Sequence, residues 1–217
     1  MKNIFITKTP ITIDQQSQLA KPHGDGALEV GEHLFKGNAE VIDQLISEIA
    51  YKSNLKIIDI GCGPGYSLIK LALKFPDAFL TGVDPSPEMI QLAKGKVVKE
   101  KLENKNIELI TGETPHLQCE DSTYDYSLLA NVLYFWHEPI KHLREIFRIN
   151  KKDGHILMYI TSKKSLSERI NEEDGIFHMY EIHQVSNMLK DAGFHNIESK
   201  VIKRKIGQTG YIIKAKK

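Results

Sequence analysis

The sequence predicts an α/β fold, with a mostly parallel seven-stranded sheet between two helical layers and an antiparallel hairpin at its end. Three observations carry this. Short apolar runs alternate with stretches of helical periodicity from residue 38 to about residue 160. The first apolar run ends in a glycine cluster, Gly61-Cys62-Gly63-Pro64-Gly65. The last two runs are separated only by Gly207-Gln208-Thr209-Gly210, too short for a crossover, so that pair must be a hairpin. Strand then helix, repeated, implies right-handed crossovers and a parallel sheet covered on both faces. A chain of 217 residues, 41% hydrophobic and 26% charged, is long enough for one domain with a full core.

The elements follow in order. Residues 1–37 hold Pro10, Pro22 and four glycines with little periodicity, and read as an irregular arm with short helical turns. Val41, Ile42, Leu45, Ile46 and Ile49 recur at helical spacing, so 38–50 is an amphipathic helix opening the main domain, 38–217. Strands are expected at 56–60, 79–83, 107–110, 124–130 and 155–160. Leu68, Leu71, Ala72 and Phe75 mark the helix after the first strand. Ser86 before Pro87 starts another, with a capping hydroxyl and a proline at the first turn, where no amide partner is lost. Met89, Ile90, Ala93 and Val97 continue its inner face, and Ile140, Leu143, Ile146 and Phe147 mark the next helix. Residues 163–177 read as a long polar loop. Ile182, Val185 and Leu189 define a last helix, stopped by Gly193, before the hairpin strands 197–205 and 211–216.

Charge and cysteine usage narrow the function. Lys plus Arg is 29 against 28 for Asp plus Glu, so nothing draws the whole chain to nucleic acid or to an anionic membrane. Lys203-Arg204-Lys205 and the Lys214 to Lys217 tail are expected to be solvated strand-end charges. Cys62 and Cys119 make no disulfide framework. No apolar run is long enough for a bilayer, and Ile4-Phe5-Ile6 is too short for a signal peptide, so a cytoplasmic location is expected.

The glycine loop, Asp59-Ile60-Gly61-Cys62-Gly63-Pro64-Gly65, sits directly after a strand and before a helix. Glycines there let the backbone turn tightly and approach a ligand at the carboxyl ends of the strands. A dinucleotide fingerprint wants its third glycine five positions after the first, where Tyr66 stands, and a Walker loop needs a Gly-Lys-Ser/Thr that is absent. The loop is therefore not built for phosphate.

These residues resemble the class I S-adenosylmethionine-dependent methyltransferases. The family's acid-x-Gly-x-Gly-x-Gly motif is matched by Asp59 to Gly65, and its second-strand acid by Asp84 in Gly82-Val83-Asp84-Pro85-Ser86. Its third-strand position is matched by Gly112-Glu113-Thr114, its fourth-strand segment by Tyr124 to Asn131, and its following helix by Glu145 to Gly154, with Asp153 in place of the first of two glycines. Asp191-Ala192-Gly193-Phe194 also fits. The match covers about residues 38–217 and implies a three-layer Rossmann-like domain with S-adenosyl-L-methionine as cofactor.

The resemblance also implies roles. Asp84 takes both ribose hydroxyls, Pro85 and Met89 frame an apolar adenine slot, and Glu113, with Gly112 and Thr114 beside it, addresses the ring edge. Asp59, Gly61 and Asn131 hold the methionyl amine and carboxylate, while Cys62, Gly63, Gly65 and Val132 complete the cofactor set. The sulfonium is already an activated donor, so the enzyme holds donor and acceptor in line at roughly 3–3.5 Å and excludes water.

Asn131-Val132-Leu133-Tyr134-Phe135-Trp136-His137 follows the fourth strand and should border the acceptor pocket. Tyr134, Trp136 and His137 are candidate substrate residues, and His137 is a candidate general base. The competing readings are core packing for the aromatics and a polar helix-start residue for His137. His137 and His142 are five apart, as are His178 and His183, which is not metal-ligand spacing on a helix, so no metal is expected. The arm and the 163–177 segment are expected to fold over the cofactor as a lid. A small-molecule acceptor is expected, with no nucleic-acid or membrane partner, in a monomer or homodimer. An Asn/Asp-Pro-Pro-Tyr tetrad of nucleic-acid amino methylases is missing, since Asn131-Val132-Leu133-Tyr134 stands there. A non-catalytic cofactor-binding protein and a nicotinamide-dependent oxidoreductase are the alternatives.

Overall fold

A computed structural model describes residues 10–217; the Ile4-Phe5-Ile6 patch and the rest of residues 1–9 lie outside the described residues. Helices α1 (Ile13–Ala20), α2 (Ala27–Gly37) and α3 (Ala39–Ser47) precede β1 (Lys56–Ile60). Then come α4 (Tyr66–Lys74), β2 (Phe79–Asp84), α5 (Pro87–Lys99), β3 (Ile107–Thr111), β4 (Tyr124–Ala130), α6 (Pro139–Ile149) and β5 (Asn150–Thr161). A short α7 (Lys163–Ser167), α8 (Ile182–Asp191), β6 (His195–Lys203) and β7 (Thr209–Lys216) complete the chain.

The strands form one sheet in the order β3-β2-β1-β4-β5-β7-β6. Every pairing from β3 to β5 is parallel, and β7 runs antiparallel to both β5 and β6. The hairpin thus enters the sheet with its second strand innermost. Successive residues of the central strands point to opposite faces. Ile57, Leu128 and Leu157 pack on one side with α3, α4 and α5, whereas Ile58, Leu129 and Met158 pack on the other with α6 and α8. Burial on both faces is why these strands read as apolar runs and not as alternating ones.

Local chemistry explains the helix starts. Ser86 caps α5, its hydroxyl accepting the Met89 amide at 3.2 Å, with Pro87 in the first turn as the sequence predicts. Three expectations are corrected. Residues 13–37 are not irregular: they form two helices, and Thr12 with Gln15 closes a capping box on α1. Glycines hide the second helix in the sequence, yet Gly31 is there for contact, since a Cβ on it would stand 2.5 Å from Leu92 and 3.0 Å from Met89 on α5. The 163–177 segment is partly helical, because Ser162 caps α7 through the Ser165 amide. Finally, β5 begins at Asn150, ahead of the Asp153-Gly154 turn where Asp153 holds a φ of 65°.

Candidate functional site

The carboxyl ends of the parallel strands open into a cavity of about 540 Å³. Tight turns follow β1, β2 and β4 and shape one end of it. The Gly61 and Cys62 amides both donate to the Val83 carbonyl, at 2.8 and 3.0 Å, which ties the glycine loop to β2. Gly61 and Gly63 have φ values of 72° and 51°, and a Cβ on Gly63 would meet nothing within 4 Å. Bare backbone therefore faces the cavity at this point.

Asp84 ends β2 and is 7% exposed. One carboxylate oxygen accepts the Gly63 amide at 2.8 Å and the other the Ser86 amide at 2.9 Å. Each oxygen keeps a further lone pair. Burial pushes Asp84 up to about 6, against the pull of those two amides and of Lys21. Asp59 is buried, accepts the Ser67 hydroxyl, and is pushed up to about 7 by burial, with Asp84 adding to the effect. Two nearby buried carboxylates without an ion-pair partner favour a bound cation beside them.

Among the residues singled out from sequence, Asp59, Gly61, Cys62, Gly63, Asp84, Pro85, Met89, Gly112, Glu113, Thr114, Asn131, Val132, Tyr134, Trp136 and His137 all line this cavity. Gly65 does not. Its φ of 82° starts α4, and its missing Cβ lets α5 approach, Ala93 Cβ being 3.0 Å from where one would stand. Cys62 is buried, and burial raises its thiol well above the usual range. Glu113 is exposed and pairs with Lys21 of the arm at 3.6 Å.

The 131–137 segment has several distinct environments. Asn131, at a φ of 60°, donates to Asn38 at 3.0 Å and accepts the Thr161 hydroxyl at 3.1 Å. The Tyr134 hydroxyl takes the Thr161 amide and reaches Asn131 Oδ1 at 3.1 Å, and burial raises its pKa, so it is already engaged in the fold. Trp136 stacks on His142 with centroids 4.4 Å apart, and His142 Nδ1 lies 2.6 Å from the Thr114 hydroxyl. His137 is at the exposed lip, with Nδ1 3.0 Å from His178 Nε2.

Sequence reasoning missed three features. The arm supplies Leu19, Leu34 and Phe35 to the lining, and Asn38 joins them from the start of the main domain. Arg169 lines the cavity from the middle of the segment assigned to a loop. Arg204 is 7% exposed and lines it too, which corrects its expected place among solvated charges, although Lys203 and Lys205 are exposed. The alternation of exposed Val201, buried Ile202 and exposed Lys203 runs on to Arg204, and that period of two was the available signal.

The comparisons agree with this geometry. A family model described as a methyltransferase domain matches residues 51–208. A malonyl-[acyl-carrier protein] O-methyltransferase of Priestia megaterium is 32% identical over 118 residues, covering 52% of this chain and 40% of that protein. A sterol 24-C-methyltransferase of Gibberella zeae is 28% identical over 179 residues, covering 76% of this chain and 45% of that one. The chain thus spans less than half the length of these relatives. A solved phosphoethanolamine N-methyltransferase 2 of Haemonchus contortus, holding S-adenosylhomocysteine, superposes with a TM-score of 0.73 at 14% identity, covering 95% of this chain and 61% of that one. Glycine loop, second-strand carboxylate and seven-stranded topology concur with the matched domain: the chain belongs to the class I S-adenosylmethionine-dependent methyltransferase family.

Proposed function

We propose that this chain transfers a methyl group from S-adenosylmethionine to a small-molecule acceptor by in-line displacement. The observation that carries the reading is one cavity with two unlike ends. At one end stand the Asp59–Gly63 backbone, Asp84 and Met89; at the other an apolar chamber of Leu19, Phe135, Leu166 and Phe177. When bound, the cofactor supplies a methyl group on a sulfonium, which needs no further activation.

The chain's own residues do the rest. Asp84 takes the two ribose hydroxyls on its remaining lone pairs. Pro85 and Met89 wall the adenine, with Gly112, Glu113 and Thr114 at its edge. Asp59 faces the methionyl ammonium, the cation its burial calls for, while Gly61, Asn131 and Val132 shape the amino-acid pocket. Cys62 and Gly63 complete the loop. Tyr134 and Trp136 border the acceptor. His137, paired with His178, is placed at the lip to take a proton from an acceptor that arrives protonated.

The arm acts as a lid in this reading. Ser86, beside Asp84, donates to the Pro22 carbonyl at 2.5 Å, so arm and cofactor end are pinned together. Relatives named for a sterol and for a malonyl-[acyl-carrier protein] support a metabolite-type acceptor over nucleic acid. Among the described residues no helix is long and apolar enough to cross a membrane. A cytoplasmic monomer or homodimer completes the proposal.

The test uses cofactor labelled on the methyl group, incubated with the protein and cell extract. Label in the low-mass organic fraction is expected. Label confined to protein or RNA refutes the small-molecule acceptor, and S-adenosylhomocysteine binding with no transfer anywhere favours a non-catalytic binder. Deleting residues 1–30 with unchanged turnover and unchanged cofactor affinity refutes the lid.

A further inference from the structure

The acceptor end of the cavity holds two arginines that the cofactor reading leaves unused. Arg204 is buried, and the acceptors its guanidinium binds are neutral. Its guanidinium donates to the Gly37 carbonyl and, at 3.0 Å, to the Gln208 side chain, while Nε has no partner. Glu40 lies close by but takes the Lys205 amide at 3.4 Å. Arg169 follows α7 and is half-buried, with its Nε and Nη2 closed from solvent and without a hydrogen-bond partner. Burial alone lowers its pKa, with no carboxylate pulling it back.

These charges are segregated. The carboxylates lining the cavity are Asp59, Asp84, Glu113 and Glu138. Asp59 and Asp84 stand at the carboxyl ends of β1 and β2, and Glu113 and Glu138 on the segments after β3 and β4. The far end is lined by Thr161, Ser165, Leu166, Arg169, Arg204 and Gln208, with no acid among them. From β2 to β5 is three strand spacings, or about 14 Å at roughly 4.8 Å each, so the two ends are separate subsites of one cavity.

An unpaired buried cation is costly, and a buried guanidinium normally has a carboxylate or phosphate on it. Nε and Nη2 of Arg169 are neighbouring donors on one edge of a planar fork, the edge that takes two oxygens of one anion. We propose that the acceptor carries an anionic oxygen group, carboxylate or phosphate, on an apolar body, and that Arg169, with Arg204 lining the same end, seats that group at the β5–β7 end. The Arg169 donors are covered, so the anion meets them as this long side chain turns into the cavity it lines. The apolar body lies along Leu166, Ile170 and Phe177, and the group to be methylated points back towards Asp59. This rests on the methyl-transfer reading, since it names the acceptor class of that same site.

The probes are octanoate, octyl phosphate, octanol and octylamine, titrated calorimetrically into protein saturated with S-adenosylhomocysteine. One of the two anions is expected to bind at least tenfold more tightly than the alcohol or the amine, and the anion that wins identifies the group. Arg169→Gln is expected to weaken that anion at least tenfold and to leave S-adenosylhomocysteine affinity within twofold, with Arg169→Lys recovering part of the loss. Octanol binding as well as both anions, no binding of any probe, or Arg169→Gln leaving anion affinity unchanged would overturn the proposal. If S-adenosylhomocysteine itself does not bind, the methyl-transfer reading fails, and the same four titrations on the free protein still decide the anion seat.

Discussion

Asp84→Asn tests the cofactor end most directly. The carboxylate accepts one amide on each oxygen, Gly63 at 2.8 Å and Ser86 at 2.9 Å. An isosteric amide keeps one acceptor and turns a donor towards the other N–H, leaving a buried donor unpaired at a cost of about 1–3 kcal/mol. The change in charge works the other way. Burial holds Asp84 at about 6 in place of 3.8. At about pH 7.5 the ionised native state therefore carries a penalty on the order of 3 kcal/mol, at about 1.4 kcal/mol per pKa unit, and the variant escapes it. The two effects nearly cancel, so thermal stability near neutral pH should shift by only a few degrees. Affinity has no such offset. Charge-assisted hydrogen bonds are worth about 1.5–3 kcal/mol each. Losing one towards ribose and weakening the second costs about 2–4 kcal/mol, or roughly 30- to 1,000-fold in Kd. Titration calorimetry with S-adenosylhomocysteine, with thermal unfolding alongside, reads both. A folded variant that binds within about threefold of the parent refutes the ribose assignment, since even one lost bond exceeds that.

Four further outcomes follow from the same geometry. Asp59 and Asp84 are raised to about 7 and about 6. Their contribution to stability is full at acid pH and lost as pH rises through that window, so ligand-free protein should melt at lower temperature at pH 8 than at pH 5. A ligand ammonium beside Asp59 favours its ionised form, so binding at pH 6 should release up to about one proton, read from calorimetry in two buffers of different ionisation heat; zero release at that pH contradicts the placement. Gly61→Ala combines a φ of 72° with a Cβ 2.5 Å from Val132 Cγ2. It should cost about 1–3 kcal/mol and weaken cofactor binding, and Val132→Ala should restore part of both by removing the clash; a single variant as stable as the parent in denaturant titration tells against it. Trp136 is the sole tryptophan and stacks on His142, whose pKa burial holds below 6.5. Its emission should change on acidification with a midpoint below that value, and His142→Gln should abolish the transition.

Local patterns and tertiary packing contributed differently to this protein. Apolar runs such as Ile57-Ile58 and Leu128-Leu129 announce doubly covered strands because each neighbour packs on an opposite face. The glycine loop, Asp84 and the Ser86-Pro87 helix start were legible because backbone turns and caps need particular residues at fixed spacing. The arm was not. Its glycines read as breakers, and only the packing of Gly31 on α5 makes them helical.

The amino-acid order by itself determined the strands, the helices between them and the terminal hairpin, since these rest on periodicity and on turn spacing, while the cofactor residues were expected from the resemblance of their motifs. Only the tertiary structure decided the opposite half of the cavity. Arg169, Arg204, Phe35 and Phe177 are far apart in the chain and converge because β7 inserts between β5 and β6 while the arm packs across the strand ends. A side chain's charge is written in the sequence, but whether it is buried without a partner depends on every element packed around it.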